Sequence, residues 1–484
     1  MTYFAVLDVG TTTVKTYIVD KNGVIVGKNV QEYESITPGP DLHEQDPEIW
    51  WRILGDSMKN LLKVGSVDKE DITSVTLITQ RATILPIDKN GVKLHNAVTW
   101  MDARKPEVSE ELEEVLTQRV GAQKILWFKK NMPNVYEKTY KFVFTDSYIA
   151  YKMIGEPYSS PAQGVYLFYD DEKGKYDEDI LSSLDIDVDK LPKIVETGTN
   201  LGEISKEAAE HLGLSKSTEF IMGSGDQQCS ALGLSLFDIG ETKVTLGTGT
   251  FIDAVIEEKI FDFYEPMSHL FILPYIVKNK WLIEAVVPGT GATLKWYLEN
   301  FGSDLKKLAA EENKNPYGLL DELASKAPAG SDGLFLVPLL TFGRGLIYGL
   351  SLKHAAAHFV RAILESAGFG IRFFIELFEN LDFEINVLRI DGGGSKSRFW
   401  GQIIADITGK EILISKAGAD AAAVGGAIIS SVGKKIYRDF QQAAETMVEF
   451  VSKIEPDIDK SDIYENIYGP FVEQMVKMAE GLKV

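Results

Sequence analysis

Cysteine is nearly absent: Cys229 stands alone among 484 residues, which excludes an intrachain disulfide and a thiolate zinc site. Histidine is scarce too, and although His354 and His358 have the i, i+4 spacing of half a metal site, no third ligand clusters with them. Long apolar runs are missing. No segment approaches the ~18 uncharged apolar residues of a membrane helix. The N-terminal run Phe4–Leu7 is broken by Asp8 and lacks the basic flank of a signal peptide. A soluble, cytoplasmic chain with no membrane partner is expected. Basic residues are outnumbered, 50 Lys and Arg against 71 Asp and Glu, for a net charge of −21. Phosphate-backbone affinity is built from clustered Lys and Arg, so nucleic acid is not an expected partner, although a local loop can still hold a small phosphate. The signature G-x-x-x-x-G-K-[ST] does not occur, which argues against a P-loop enzyme. No strand–G-x-G-x-x-G–helix supplies a dinucleotide fingerprint either.

What is present is globular. Apolar residues at 45% and charged residues at 25% supply an ordinary core, and the length suits two large domains or three smaller ones. The apolar runs Phe4–Leu7 and Val14–Val19, with Asn22-Gly23 leading into Val24–Val26, read as a hairpin series. The phrase Asp-Lys-Asn-Gly-Val recurs at Asp88–Val92 after strand-like stretches at Val75–Ile78 and Thr83–Ile87. Between them Asp46 caps and Pro47 opens a helix whose Trp50, Ile53, Leu54, Met58, Leu61 and Leu62 share a face. Strands alternating with amphipathic helices predict an α/β architecture.

Near Gly240 the opening pattern restarts. Lys243–Leu246 and Phe251–Val255 are strand-like around Gly247-Thr248-Gly249-Thr250, as Val6–Asp8 leads through Gly10-Thr11-Thr12-Thr13 into a second strand. This echo suggests a duplicated nucleotide-binding core. A helix is expected near Ala355–Leu377, then a strand at Val387–Ile390, then Gly392-Gly393-Gly394 opening a helix around Phe399–Ile407.

Three loops are candidates for holding phosphate. In Asp8–Thr13, Gly10 permits close backbone approach, hydroxyls and amides can donate to phosphate oxygens, and Asp8 could hold Mg²⁺ through waters. The same residues would also serve an ordinary Gly/Thr turn. Leu246–Thr250 carries the same two readings, and Asp391–Ser395 is either a nucleotide platform or a flexible strand-to-helix connection. Asp226, in Gly223-Ser224-Gly225-Asp226-Gln227, follows the apolar pair Phe220-Ile221. It could accept a proton from a substrate hydroxyl or cap the helix Gln227–Leu236, and both roles are compatible. Asp185–Asp189 imitates a calcium loop but has Lys190 where glycine is required, so a solvated acidic loop is expected. Cys229 is read as a small buried residue rather than a nucleophile.

Taken in order, these segments resemble the FGGY carbohydrate kinases, the family of glycerol kinase, xylulokinase and gluconate kinase, over nearly the whole length. Asp8–Thr13 is similar to the first phosphate loop. Trp100-Met101-Asp102-Ala103-Arg104 resembles the W-x-D-x-R segment, and Gly225-Asp226-Gln227 the catalytic-base motif. Leu246–Thr250 resembles the second phosphate loop, Gly291–Trp296 the G-x-x-x-x-W stretch and Asp391–Ser395 the adenosine loop. The resemblance implies two actin-like (ribonuclease H-like) ATPase domains around a central cleft: a sugar-binding domain over residues 1–238 and a nucleotide-binding domain over 239–484. ATP and Mg²⁺ are the implied cofactors, with a homodimer left open as the assembly.

By the same resemblance Asp226 is the general base. Gln80, Arg81, Ala82, Asp226 and Gln227 meet the substrate, and Asp8 and Asp226 meet the metal. Thr11, Thr12, Thr13, Lys15, Gly247, Thr248, Gly291, Lys295, Gly392, Gly393 and Ser397 meet the nucleotide. Two departures bear on the substrate. Where glycerol kinases carry Gln-Arg-Glu and xylulokinases Gln-Met-His, this chain has Gln80-Arg81-Ala82, and Leu340–Gly345 is shorter than the usual segment. Lys129–Gly155 and Ala162–Pro192 are more like xylulokinase. The expected activity is ATP-dependent phosphorylation of a primary hydroxyl of a small ketose or polyol, a xylulose-like pentulose first, glycerol or gluconate next. A non-catalytic actin-like ATP-binding or regulatory protein would need the phosphate loops but not Asp226.

Overall fold

A computed structural model describes residues 2–65, 67–257, 270–339, 344–381 and 383–480; most of the short segment 340–345 lies outside them. The chain divides into two units. One comprises Met1–Ser235, Leu273–Trp281 and Ala422–Val448, the other Leu236–Ile272, Leu282–Ala421 and Glu449–Val484.

The repeated phrase folds the same way twice. At Asp20 and at Asp88 the carboxylate Oδ1 accepts from the amides two and four residues on. The amide of each aspartate in turn donates to the carbonyl of Val24 or Val92. These are aspartate side chains closing their own turns. The first turn joins strands Thr13–Asp20 and Ile25–Glu32, and the second follows strand Ile84–Ile87.

The main sheet of the first unit runs, in spatial order, Asn200–Glu203, Glu219–Gly225, Ile72–Thr79, Tyr3–Val9, Thr13–Asp20, Ile25–Glu32. Tyr3–Val9 pairs antiparallel with Thr13–Asp20 and parallel with Ile72–Thr79. Ile72–Thr79 pairs parallel with Glu219–Gly225, which pairs antiparallel with the edge strand. The three parallel strands are buried almost throughout, as strands covered on both faces must be. Helix Pro47–Val64 is capped by the Asp46 carboxylate, which accepts from Glu48 N, and its Trp50, Ile53, Leu54 and Met58 join Leu7, Ile18 and Leu77 in one core.

In the second unit the sheet carries Trp281–Val287, Thr250–Ile256, Thr242–Leu246, Val387–Asp391, Glu411–Ser415 and Phe450–Ile454 in that order. From Thr250–Ile256 onward its pairings are antiparallel, parallel, parallel, antiparallel. That is the sequence of senses found from Thr13–Asp20 to Asn200–Glu203 in the first unit. Each unit therefore opens with a hairpin whose first strand lies at the centre of its sheet. The echo in the sequence is a duplicated topology.

A smaller antiparallel sheet in the first unit runs Glu44–Gln45, Ala97–Val98, Ile84–Ile87, Lys141–Phe144 in spatial order, and its strand Ile84–Ile87 is the next after Ile72–Thr79 in the chain. Helix Ala356–Glu379 spans the expected long stretch, and Arg398–Thr408 follows the triple glycine. The helix after Gly225 is shorter than its apolar sequence implies, Asp226–Gly233 rather than to Leu236, with Gly225 and not Asp226 at the capping position. His354 and His358 turn their Nδ1 atoms to the amides of Ser351 and Ala355, and Asp187 caps a short turn at Val188–Lys190. Among the described residues no helix is long and apolar enough to cross a membrane.

Candidate active site

In the first unit, Val9 stands opposite Thr79 and Thr79 opposite Gly225 in register. Three parallel strands thus end together, and the next residues of each, Gly10, Gln80 and Asp226, emerge at the carboxyl edge of the sheet. In open α/β sheets this edge is where ligands bind. Two glycines are fixed by close approach. A Cβ on Gly223 would lie 1.6 Å from the Leu77 carbonyl oxygen, and one on Gly225 would lie 2.5 Å from Gln228 Oε1 and 2.7 Å from Arg81 Cδ. The stem of Arg81 therefore lies across Gly225.

That placement brings Arg81 Nε to 3.4 Å from Asp226 Oδ1. The guanidinium is buried while the Asp226 carboxylate is 38% exposed and open to a reacting partner. Gln227 N donates to the same oxygen at 2.9 Å. Gln80 is anchored by its amide to the Val9 carbonyl and by Nε2 to Gln45 Oε1, whose own Nε2 reaches the Thr11 carbonyl. Oε1 of Gln80, buried, has no partner among the described residues. Ala82 is buried with φ 56°, in the left-handed region. Its amide donates to Gln163 Oε1 at 3.0 Å and its carbonyl accepts from Lys124 Nζ at 3.3 Å.

The first loop lies beside these groups. Thr12 is exposed, Thr11 and Thr13 half-buried, and Trp100 Nε1 donates to Thr11 Oγ1 at 3.1 Å. Asp8 is buried and in register with Lys15, whose Nζ stands 3.1 Å from Asp8 Oδ2. The W-x-D-x-R segment locks itself: Arg104 Nε and Nη2 grip both oxygens of Asp102, and Nη2 also reaches Glu44 Oε1. Burial opposes ionisation of Asp102, but hydrogen bonds from Arg104 and from His43 N–H hold it below the usual carboxylate range. Cys229 is fully buried, and burial, with the negative charges of Asp226 and Asp8, pushes its thiol well up. A thiol held this way stays protonated and fits the reading of a small buried residue.

The second unit gathers its three loops independently. Gly247 N bonds the Gly249 carbonyl, and Ala292 N bonds the Thr248 carbonyl. A Cβ on Gly291 would lie 2.1 Å from the Gly247 oxygen, so the start of helix Thr290–Asn300 rests on the loop. Gly392, at φ 80°, packs against Leu246, and a Cβ there would meet the Leu246 oxygen at 2.6 Å. Gly393 faces open space. Ser397 spends its hydroxyl capping helix Arg398–Thr408 through Trp400 N, and Lys295 is exposed beside Glu299. Gly247, Thr248, Gly291, Gly392 and Gly393 are thus brought together, while the Lys295 side chain points to solvent.

Three side chains of the first unit were not singled out from the sequence: Gln45, Gln163 and Lys124. The two glutamines give no pattern. Lys124 does, since it shares a helical stripe with Gly121, Ile125 and Phe128, all buried.

The model for the N-terminal domain of the FGGY family of carbohydrate kinases matches residues 3–233, and that for the C-terminal domain matches residues 242–433. A curated xylulose kinase of Bacillus subtilis (strain 168) is 26% identical, the match covering 97% of each chain. Among solved structures, a ligand-bound xylulose kinase from Lactobacillus acidophilus superposes with a TM-score of 0.84 at 20% identity, over 99% of each chain. Plasmodium falciparum glycerol kinase with ADP superposes with a TM-score of 0.82 at 23% identity, over 98% of each. At these identities the two structures establish a shared mixed α/β, two-domain fold.

Proposed function

The chain belongs to the FGGY family of carbohydrate kinases and is an ATP-dependent sugar kinase, and we propose that its acceptor is the primary hydroxyl of a short ketose, a pentulose of the xylulose type ahead of glycerol or gluconate. The observation that carries the reading is Asp226, half-buried at the end of a buried parallel strand with Arg81 3.4 Å away. Asp226 accepts the proton of the attacking hydroxyl, and Arg81 orients the carboxylate and offers donors to the sugar's oxygens. Gln80, with its buried unpaired Oε1, accepts from a second hydroxyl. Ala82 has no polar side chain for that task, which leaves room for a longer carbon chain than glycerol.

ATP is the phosphoryl donor, taken by the glycine loops at Gly247–Thr248, Gly291 and Gly392–Gly393 of the second unit; Thr11–Thr13 are the matching loop of the first, and the duplicated topology is read as actin-like, ribonuclease H-like. Lys15, Lys295 and Ser397 are the further nucleotide contacts of this reading, Lys295 by turning from Glu299 and Ser397 through its hydroxyl proton, its oxygen being taken by the helix cap. Hard carboxylate oxygens suit Mg²⁺, which keeps several waters and needs only one or two carboxylates. Asp8 and Asp226 would hold it, and when bound it supplies charge neutralisation for the transferred phosphoryl group. Rates of ADP formation with xylulose, glycerol, gluconate and erythritol test the substrate. The highest kcat/KM should fall on xylulose, and a preference for glycerol would refute it.

A further inference from the structure

Lys124 lies on helix Val120–Asn131 with only 1% of its surface exposed. Lysines buried to this degree ordinarily pair with a carboxylate. Nζ of Lys124 instead donates to two backbone carbonyls, those of Ala82 and Thr99. Burial pushes the ammonium down to about 7, the charge of Asp102 opposing that fall and Arg104 adding to it. A methionine would fill a similar volume without the cost of desolvating an amine. What the lysine adds is the tie between two carbonyls.

Those carbonyls belong to two chain segments at the site. One ends the substrate turn Gln80–Ala82, the other precedes Trp100–Arg104, whose Trp100 donates to Thr11 of the first loop. Across the turn, Gln163 completes the grip: its Oε1 accepts from Ala82 N, and its Nε2 donates to the Gln80 carbonyl at 2.9 Å and to Thr79 Oγ1 at 3.1 Å. Ala82 is thus held by buried side chains on both its N–H and its C=O, in a left-handed conformation that a non-glycine residue keeps only when its surroundings over-determine it. With no functional side chain at this position, the turn's geometry is set through its backbone.

We propose that Lys124 is a positioning residue for the sugar: by tying the Ala82 carbonyl to the Thr99 carbonyl it fixes the turn bearing Arg81 against the segment bearing Trp100, and so sets sugar affinity without touching the sugar. This rests on the reading of Gln80–Ala82 as the substrate turn. Loss of the tie lets the turn relax, which weakens the sugar's contacts and leaves those of the nucleotide alone.

The test compares steady-state kinetics with xylulose and ATP for the wild type, Lys124→Met, Lys124→Ala and Arg81→Leu. Lys124→Met should raise the sugar KM by roughly tenfold, the loss of about one net hydrogen bond, with the ATP KM unchanged and kcat reduced less than the KM rises. Lys124→Ala should show the same defect, and propylamine, which can donate to both carbonyls, should restore the sugar KM where propanol of similar size restores little. Folded Lys124→Met with an unchanged sugar KM, or with sugar and ATP KM raised alike, overturns the proposal. So does a defect in Lys124→Ala that propanol repairs as well as propylamine. If Arg81→Leu raises the sugar KM while the Lys124 variants do not, only the role of Lys124 falls. If none of the variants moves it, the substrate turn falls as well.

Discussion

Arg81 reaches Asp226 by lying over Gly225: its Nε stands 3.4 Å from Asp226 Oδ1, and a single methyl group on the intervening glycine would come within 2.7 Å of its Cδ. The pair joins the ends of two adjacent parallel strands, so sheet register brings the proposed base and its guanidinium partner together, and the ties on the Ala82 backbone hold the turn that carries Arg81. Catalytic groups held this way are more precisely placed than groups on free loops.

Gly225→Ala should therefore displace Arg81 without unfolding the sheet, since the side chains it meets, Gln228 and Arg81, can move at their ends. The sugar KM should rise by about tenfold, a cost on the order of 1.4 kcal/mol, with nucleotide affinity unchanged. Gly223→Ala is the contrasting case: its Cβ would collide with the backbone of Leu77 in the neighbouring strand, so the variant should fail to accumulate as folded protein. Kinetics on the first and circular dichroism on the second separate the two effects.

Ala82→Glu returns a polar side chain to the turn. Because Gln163 and Lys124 hold the backbone of Ala82 rather than its side chain, the turn should survive the change. The kcat/KM ratio of glycerol to xylulose should rise, since a site that hydrogen-bonds a hydroxyl discriminates by it. Equal loss on both substrates would remove position 82 from substrate choice.

Stability should report Lys124 through pH. In the folded chain its ammonium titrates near 7 instead of the ordinary 10.5. Between those values the unfolded chain keeps a proton that the folded one has released. Unfolding free energy therefore rises with pH in this window, by at most about 1.4 kcal/mol per unit from this group. Urea unfolding of the wild type and Lys124→Met from pH ~7 to ~10 should show the wild type gaining on the variant; parallel curves would contradict the lowered value.

The sequence made local features legible and long-range ones not. Asp20 and Asp88 announce their turns because their own carboxylates close them, and Asp46 with Pro47 announces a helix start. The echo of the Gly/Thr loops correctly indicated duplication, but the strand order did not follow from it. Tyr3–Val9, Ile72–Thr79 and Glu219–Gly225 are far apart in the chain, and nothing local chooses their neighbours. The helix after Asp226 was read too long because Leu234 and Leu236 are buried beyond its end, where Ser235, at φ 61°, breaks the helical path. Among the candidate site residues, Asp8 and Asp226 were singled out because each sits at a strand end, and Arg81 only through the family resemblance. Gln163 was not, since it acts on backbone groups of distant segments and leaves no motif; Lys124 left only its place on a buried helical stripe, which does not show what it binds.

The most direct measurement of the central claim is the rate of sugar phosphorylation by Asp226→Asn, with nucleotide binding titrated on the same protein. If Asp226 takes the proton, kcat with xylulose should fall by about 10²–10⁴-fold, the usual worth of a general base, while nucleotide affinity stays within a few-fold of the wild type. A variant that phosphorylates xylulose at the wild-type rate would contradict the assignment of Asp226.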